Sequence, residues 1–310
     1  MDRIEAMQVF VAALDEGSLA GAGRRLGRSP AAVSRAIAFL EHHVGAELLY
    51  RNTRSLKLSE AGEPYAAACR RILADLDEAD LSAAGAHTAP RGTLTLTAPP
   101  ISGEEILRPI IDGYLDAYPG VAVNLILLDR NANLVEEGVD IALRVAELPD
   151  SSMVAVRVGG DVKRVVVASP RYLAAHPRIT EPADLAKHQI VTTTHFGHDN
   201  WVFPPATAGG IPRSVHFKPR LVVNSVRGAL ASAVDGHGVT RLYTYHVAER
   251  VQDGSLEILL RSAEPAALPV HLVAPQGRMS VPKVRAFVDF AAPRLRAEFA
   301  RLSAMADKLR

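Results

Sequence analysis

Ser34 and Arg35 are neighbours in a stretch whose other residues are small or apolar. A guanidinium can donate two hydrogen bonds to guanine O6 and N7, and a serine hydroxyl can meet any base edge. A phosphate contact or an ion pair with a neighbouring glutamate is the other role open to Arg35. Ser29 opens the same stretch, where a hydroxyl and unpaired backbone N–H groups at a helix start suit a phosphate. Ala31 keeps the adjoining surface small enough to enter a groove. Further along, Arg51, Thr53 and Arg54 suit the nucleic-acid backbone or the minor groove, which would position a protein without reading sequence. Between residues 24 and 57, Arg24, Arg25, Arg28, Arg35, Arg51, Arg54 and Lys57 face only Glu41 and Glu47. That local excess of cations, in a chain of net charge +1, is the electrostatic footprint of nucleic-acid binding.

The elements that must hold these residues are legible. Residues 18–26 read as a short helix, Gly27-Arg28-Ser29 as a turn, and residues 30–44 as a second helix, which together make a helix-turn-helix. Ser29 caps the second helix and Pro30 suits its first turn. Val33, Ile37, Leu40 and Val44 form one apolar stripe by their spacing. Ala31, Arg35, Ala38 and His42 fall on the opposite face, with Ser34 at its edge. An amphipathic helix over residues 2–15 precedes the motif. A hairpin wing over 47–58 follows it, with residues 52–55 at the tip. Ser59 caps a long helix running to about residue 86, with Tyr65, Cys69, Ile72, Leu76, Ala79 and Ala83 spaced as a coiled-coil seam. A lone seam needs a partner helix, so this helix is expected to dimerise the chain. Pro64 is expected to bend it. Residues 85–92 read as a hinge.

From Thr93 the pattern becomes strand, helix, strand. Runs at 93–98, 121–128, 139–145, 162–168, 190–194, 221–223, 239–242 and 269–274 alternate with helices near 104–118, 226–235 and beyond 281. This is an α/β unit with a mostly parallel sheet, and no internal repeat is visible in it. Ligands of such folds sit at the carboxyl ends of strands, where helices begin. The first such place is Pro100-Ile101-Ser102, whose N–H groups and hydroxyl could hold a carboxylate.

Composition narrows the class. At 310 residues the chain has room for two or three units. The start carries acids and no apolar run, so no signal peptide is expected. No run approaches the ~20 apolar residues of a membrane span. The single cysteine, Cys69, excludes an internal disulfide, and its apolar seam makes redox sensing a poor reading. The expected location is cytoplasmic. No nucleophile elbow, no spaced metal cluster and no glycine-rich phosphate loop is present, so no catalytic residue, cofactor or metal is expected. An enzyme or solute-binding module fused to a DNA-binding head is the alternative reading. A purely architectural DNA protein fits poorly with so large a second part.

The order of segments resembles the LysR-type transcriptional regulators. The residues that carry the resemblance are the helix-turn-helix, residues 48–54, and Leu58-Ser59-Glu60-Ala61-Gly62. Residues 134–144 and 148–152 carry it further. It covers nearly the whole chain. It implies an α+β multidomain protein with three parts: a winged helix-turn-helix (1–58), a linker helix and hinge (59–90), and a two-lobed α/β effector domain (91–310) shaped like bacterial solute-binding proteins. Lobe I would hold about 91–161 and 269–310, and lobe II about 162–268. The partners it implies are double-stranded operator DNA, a small-molecule effector, a second copy in a homodimer or homotetramer, and RNA polymerase. It places the effector between the lobes, against residues 100–102, Arg144, Thr193, His195, Asn224 and Arg241. A cation at Arg241, where family members often carry an apolar residue, would favour an acidic effector. The opposite reading, that Arg241 braces the lobe, is equally open.

Overall fold

A computed structural model describes every residue except 53–54, 84–88, 131, 149–152, 195–198, 208 and 309–310. The chain divides into two units, Met1–Ala89 and Pro90–Arg310. The expected wing tip at Thr53 and Arg54, half of the expected hinge (residues 85–88) and the 149–152 motif lie outside the described residues. Among the described residues, no helix is long and apolar enough to cross a membrane.

The first unit contains α1 (Arg3–Asp15), α2 (Leu19–Leu26), α3 (Pro30–Val44), β1 (Leu49–Asn52), β2 (Ser55–Leu58) and α4 (Gly62–Ala83). Local chemistry sets the boundaries. The Ser18 hydroxyl accepts the Gly21 N–H at 3.0 Å, and Ser29 accepts the Ala32 N–H at 3.2 Å. Gly27 takes φ +65° to end α2, a conformation that glycine adopts without steric cost. Gly23 must also be glycine, because a Cβ there would sit 2.6 Å from the Arg28 carbonyl oxygen. Met7, Phe10, Val33, Ile37, Leu40, Leu48 and Leu49 fill the core. Of the expected α3 stripe, Val33, Ile37 and Leu40 are buried while Val44 is exposed.

Helix α4 begins at Gly62, whose N–H is accepted by the Ser59 hydroxyl at 2.9 Å. Pro64 therefore lies in the first turn, where its missing N–H has no intrahelical partner to lose. The expected bend has no cause there. The seam also divides. Tyr65, Ala66, Cys69 and Leu73 pack into the core of the head, and Arg70 pairs with Asp15 at 2.5 Å. Ile72, on another face, is 46% exposed.

The second unit runs β3 (Gly92–Ala98), a wide helical turn (Ser102–Leu107) continuing as α5 (Arg108–Ala117), β4 (Val121–Leu127), β5 (Ile141–Val145) and β6 (Met153–Val162). It crosses into β7 (Arg164–Ala168), α6 (Pro170–Ala174), β8 (Val191–Thr193), β9 (Asn200–Phe203), β10 (Arg213–His216) and β11 (Leu221–Val223). Next come α7 (Val226–Val234), β12 (Thr240–Tyr243), α8 (Thr244–Gln252) and β13 (Glu257–Leu259). The chain then returns as β14 (Leu268–Pro275) and α9 (Pro282–Lys308).

The two lobes share one topology. In lobe I the strand order is β4-β3-β5-β14-β6, with the first three parallel and β14 antiparallel to its neighbours. In lobe II, β11 lies parallel to β8, and an Ile190–Val239 bridge carries the sheet on to β12. Strand β7 is antiparallel to both β12 and β13. The order β11-β8-β12-β7-β13 repeats lobe I with no repeat visible in the sequence. Helix α9 closes lobe I: the Tyr114 hydroxyl donates to the Lys283 carbonyl at 2.9 Å, and its ring meets Phe287 edge-on at 5.1 Å.

Candidate functional site

On the head, α3 presents the face that its sequence implied. Ser29, Ala31, Arg35, Ala38 and His42 are exposed and Ser34 is half-buried. Among the described residues Arg35 makes no ion pair or side-chain hydrogen bond, whereas two other cations of the cluster are held within the head. Arg28 pairs with Glu5, and Arg25 with Asp15 at 3.3 Å. Lys57 is exposed. Arg51 lies on β1, but its side chain, like Thr53 and Arg54, lies outside the described residues. Cys69 is buried in the head, and burial pushes its thiol pKa up, away from reactivity.

In the second unit a cleft of about 400 Å³ lies at the carboxyl ends of β3, β5 and β12 and the start of β7. Lobe I contributes Thr97–Pro99, Ile101, Leu128–Arg130, Ala132 and Ala142–Ala146; lobe II contributes Arg164, Val226, Tyr243, Tyr245 and His246. Arg144 donates to the Ala132 carbonyl at 2.7 Å. The Arg164 guanidinium stands 5.7 Å from the Tyr243 ring centre. Arg130 at the rim is neutralised by two hydrogen bonds to Glu137, at 2.7 and 2.8 Å. Asp129 supplies the one carboxylate among the described lining residues.

The sequence-predicted residues divide around this cleft. Ile101 and Arg144 line it. Pro100 is half-buried beside it without forming its wall. Ser102 is fully buried and its hydroxyl donates to the Pro99 carbonyl at 3.2 Å, so the local turn has taken the donor expected for a ligand. Thr193 is buried at the end of β8 and Asn224 is exposed, and neither lines the cleft. His195 lies outside the described residues.

Arg241 is the main correction. It pairs in register with Val166 and points over the second core of lobe II. There it donates to the Val202 carbonyl at 3.0 Å, 5.2 Å from the Trp201 ring centre and 5.6 Å from that of Phe203. Burial, with Arg164 nearby, lowers its pKa to about 10, so it stays a cation that braces the lobe.

Sequence reasoning missed Arg164, Tyr243, Tyr245 and His246. Their signal was positional, since 243–246 follow directly on the end of an expected strand. His246 is buried and its Nδ1 accepts the Tyr243 N–H at 3.2 Å. Burial pushes its pKa down to about 3, so the ring is neutral. The Tyr245 hydroxyl is buried without a hydrogen bond of normal geometry, beside Ser102. Burial, which raises its pKa, keeps it a protonated phenol.

Comparison with known proteins decides the family. Residues 4–63 match the bacterial regulatory helix-turn-helix protein, lysR family, and residues 87–296 match the LysR substrate binding domain. The chain belongs to the LysR family of transcriptional regulators. This LysR-type regulator is 31% identical over 289 residues to an HTH-type transcriptional regulator of Xanthomonas campestris, covering 93% of this chain and 84% of that one. It is 30% identical over 271 residues to the transcriptional activator AaeR of Escherichia coli, with 87% of each covered. The solved structure of CrgA, a LysR-type regulator from Neisseria meningitidis, superposes with a TM-score of 0.59 at 29% identity, covering 94% of this chain and 98% of that one. The protein is thus a DNA-binding transcriptional regulator with an effector-binding domain, and its relatives are named regulators rather than enzymes.

Proposed function

We propose that this LysR-type regulator acts in the cytoplasm as a homodimer joined through the outer faces of α4, assembling further into a homotetramer. On this reading each α3 enters a major groove with Ser34 and Arg35 at base edges. Ser29, Arg51, Thr53 and Arg54 hold the DNA backbone, and Ala31 lies against the bases. A small carboxylic acid occupies the cleft between the lobes, alters their separation and so alters the spacing of the heads and the access of RNA polymerase. Ile101 and Arg144 would then act in the cleft wall, Pro100, Ser102, Thr193, His195 and Asn224 would act around it, and Arg241 would brace lobe II. The observation that carries the effector half is two guanidinium groups, Arg144 and Arg164, facing one cleft whose described lining residues hold a single carboxylate, Asp129, besides the Arg130–Glu137 pair. Such an excess of positive charge in a concave, partly desolvated site favours an anion.

Two measurements test it. In melting of the full chain, benzoate raises Tm while benzamide does not, and Arg144→Gln or Arg164→Gln removes the rise; a response to benzamide alone defeats the acid reading. In binding to an operator selected from random DNA, Arg35→Ala weakens specific binding by about ten- to a hundredfold, the worth of a bidentate base contact of roughly 1–3 kcal/mol. Nonspecific binding falls far less. An equal loss in both would make Arg35 a phosphate contact.

A further inference from the structure

Two walls of the cleft ask for different chemistry. Arg144 and Arg164 offer positive charge. Tyr245 and His246, at the start of α8, offer only uncharged donors. His246 Nδ1 is occupied by the Tyr243 N–H at 3.2 Å, so the neutral ring carries its proton on Nε2 and can only donate there. The Tyr245 phenol is buried in the same wall with no hydrogen bond of normal geometry. Its neighbour Ser102 gives its own proton to Pro99. The Ser102 oxygen is the acceptor beside the phenol, but it is poorly placed for a hydrogen bond of normal geometry. A buried donor so poorly satisfied costs stability, and a better-placed ligand oxygen would recover that cost. The two rings touch edge-to-face, with centres 4.2 Å apart, so their donors belong to one patch. Asp129 lines the same cleft, and its charge is felt at the Tyr245 hydroxyl. An anionic oxygen at this patch would meet that carboxylate, whereas a neutral oxygen would not.

We infer that Tyr245 and His246 form a subsite for an uncharged oxygen acceptor, so that the cleft selects hydroxy- or oxo-carboxylic acids over the plain acids. This rests on the reading of the cleft as an acid-binding effector site. The carboxylate lies toward Arg144 and Arg164, and the second oxygen accepts from Tyr245 Oη–H and His246 Nε2–H. Tyr245 and His246 set specificity while the guanidinium groups supply attraction.

The test uses the full-length protein and matched pairs of probes: 2-oxobutyrate against butyrate, and mandelate against phenylacetate. Affinities come from titration calorimetry, with circular dichroism confirming that each variant is folded. The oxygenated member binds roughly tenfold tighter, as expected for one satisfied buried hydrogen bond. Tyr245→Phe removes one hydroxyl and narrows the gap within each pair, the oxygenated acid losing more affinity than its parent. His246→Asn keeps an acceptor for the Tyr243 N–H, removes the Nε2 donor and does the same. Equal affinity within both pairs, or equal loss of both members in Tyr245→Phe, overturns the subsite while leaving acid binding standing. Binding of no acid at all overturns the acid reading and this inference with it.

Discussion

His246 is a buried imidazole in the first turn of α8, and burial lowers its pKa to about 3 from an ordinary 6.5. The unfolded chain binds a proton near pH 6.5 that the folded protein refuses until about pH 3. Between those values the unfolded state holds more protons, so stability rises with pH. The contribution is fully present above about pH 6.5 and is lost progressively as pH falls toward 3. At pH 5 the loss amounts to about 2 kcal/mol by that linkage. His188 and His271 are also shifted down by burial and act in the same direction, so the whole acid limb does not belong to one residue. The difference between wild type and His246→Asn isolates it. Urea unfolding at pH 7 and pH 5 should show the variant losing about 2 kcal/mol less than wild type over that interval. Equal losses would mean that the ring is protonated in the fold, so that Nδ1 could not accept the Tyr243 N–H.

At the scale of elements, the first turn of α7 reaches from lobe II to lobe I. Arg227 pairs with Glu104 and also with Glu105 at 3.0 Å, and its neighbour Val226 lines the cleft. All three side chains are about half exposed, so water and salt screen them and the pairs are worth only about 0.5–1 kcal/mol. Because they span the lobes, even that small energy biases an equilibrium between closer and more open arrangements. Arg227→Glu should raise amide exchange in residues 103–107 and 226–230, and Glu104→Arg added to it should restore protection at low salt. Unchanged exchange in Arg227→Glu would leave these ion pairs without a role in closure. Neither Glu104, Glu105 nor Arg227 announced this contact in the sequence, because its partners lie 123 residues apart. Helix α3 is the opposite case. Its turn glycine, its Ser29 cap and its stripe of Val33, Ile37 and Leu40 are local signals, and they place Arg35 and Ala31 on the open face. Arg144 and Ile101 were also legible, since strand ends of an α/β fold converge on its cleft. Arg241 was not. Thr240, Arg241, Leu242 and Tyr243 are all buried, so the strand has no polar and apolar alternation to show which face is which. Only the register with β7 decides that. The repeated strand order escaped notice for a related reason: the lobes share hydrogen-bonding topology rather than residues.

The whole molecule consists of two units with separate cores, one built around Phe10, Val33 and Leu40 and the other around the two sheets. Each unit carries one natural reporter. The only cysteine, Cys69, is buried in the head, and the only tryptophan, Trp201, is buried in lobe II. Urea unfolding followed by tryptophan emission therefore reports the effector-binding unit, and pulsed labelling of the thiol reports the head. Separate cores predict transitions that do not coincide, the standard sign that a chain is not two-state. A bound ligand stabilises only the unit whose folded form holds it. At a hundred times its dissociation constant that amounts to roughly 2.7 kcal/mol. Mandelate at that level should move the Trp201 midpoint upward and leave the Cys69 midpoint in place. If both midpoints rise together, the units unfold as one, and the binding energy of the acid already reaches the head through the folded chain. On the proposed function a signal passes between the units, and the residual shift at Cys69 measures that coupling directly. A shift of a few tenths of a kcal/mol would mean that DNA binding is tuned by geometry, with little change in the stability of the head.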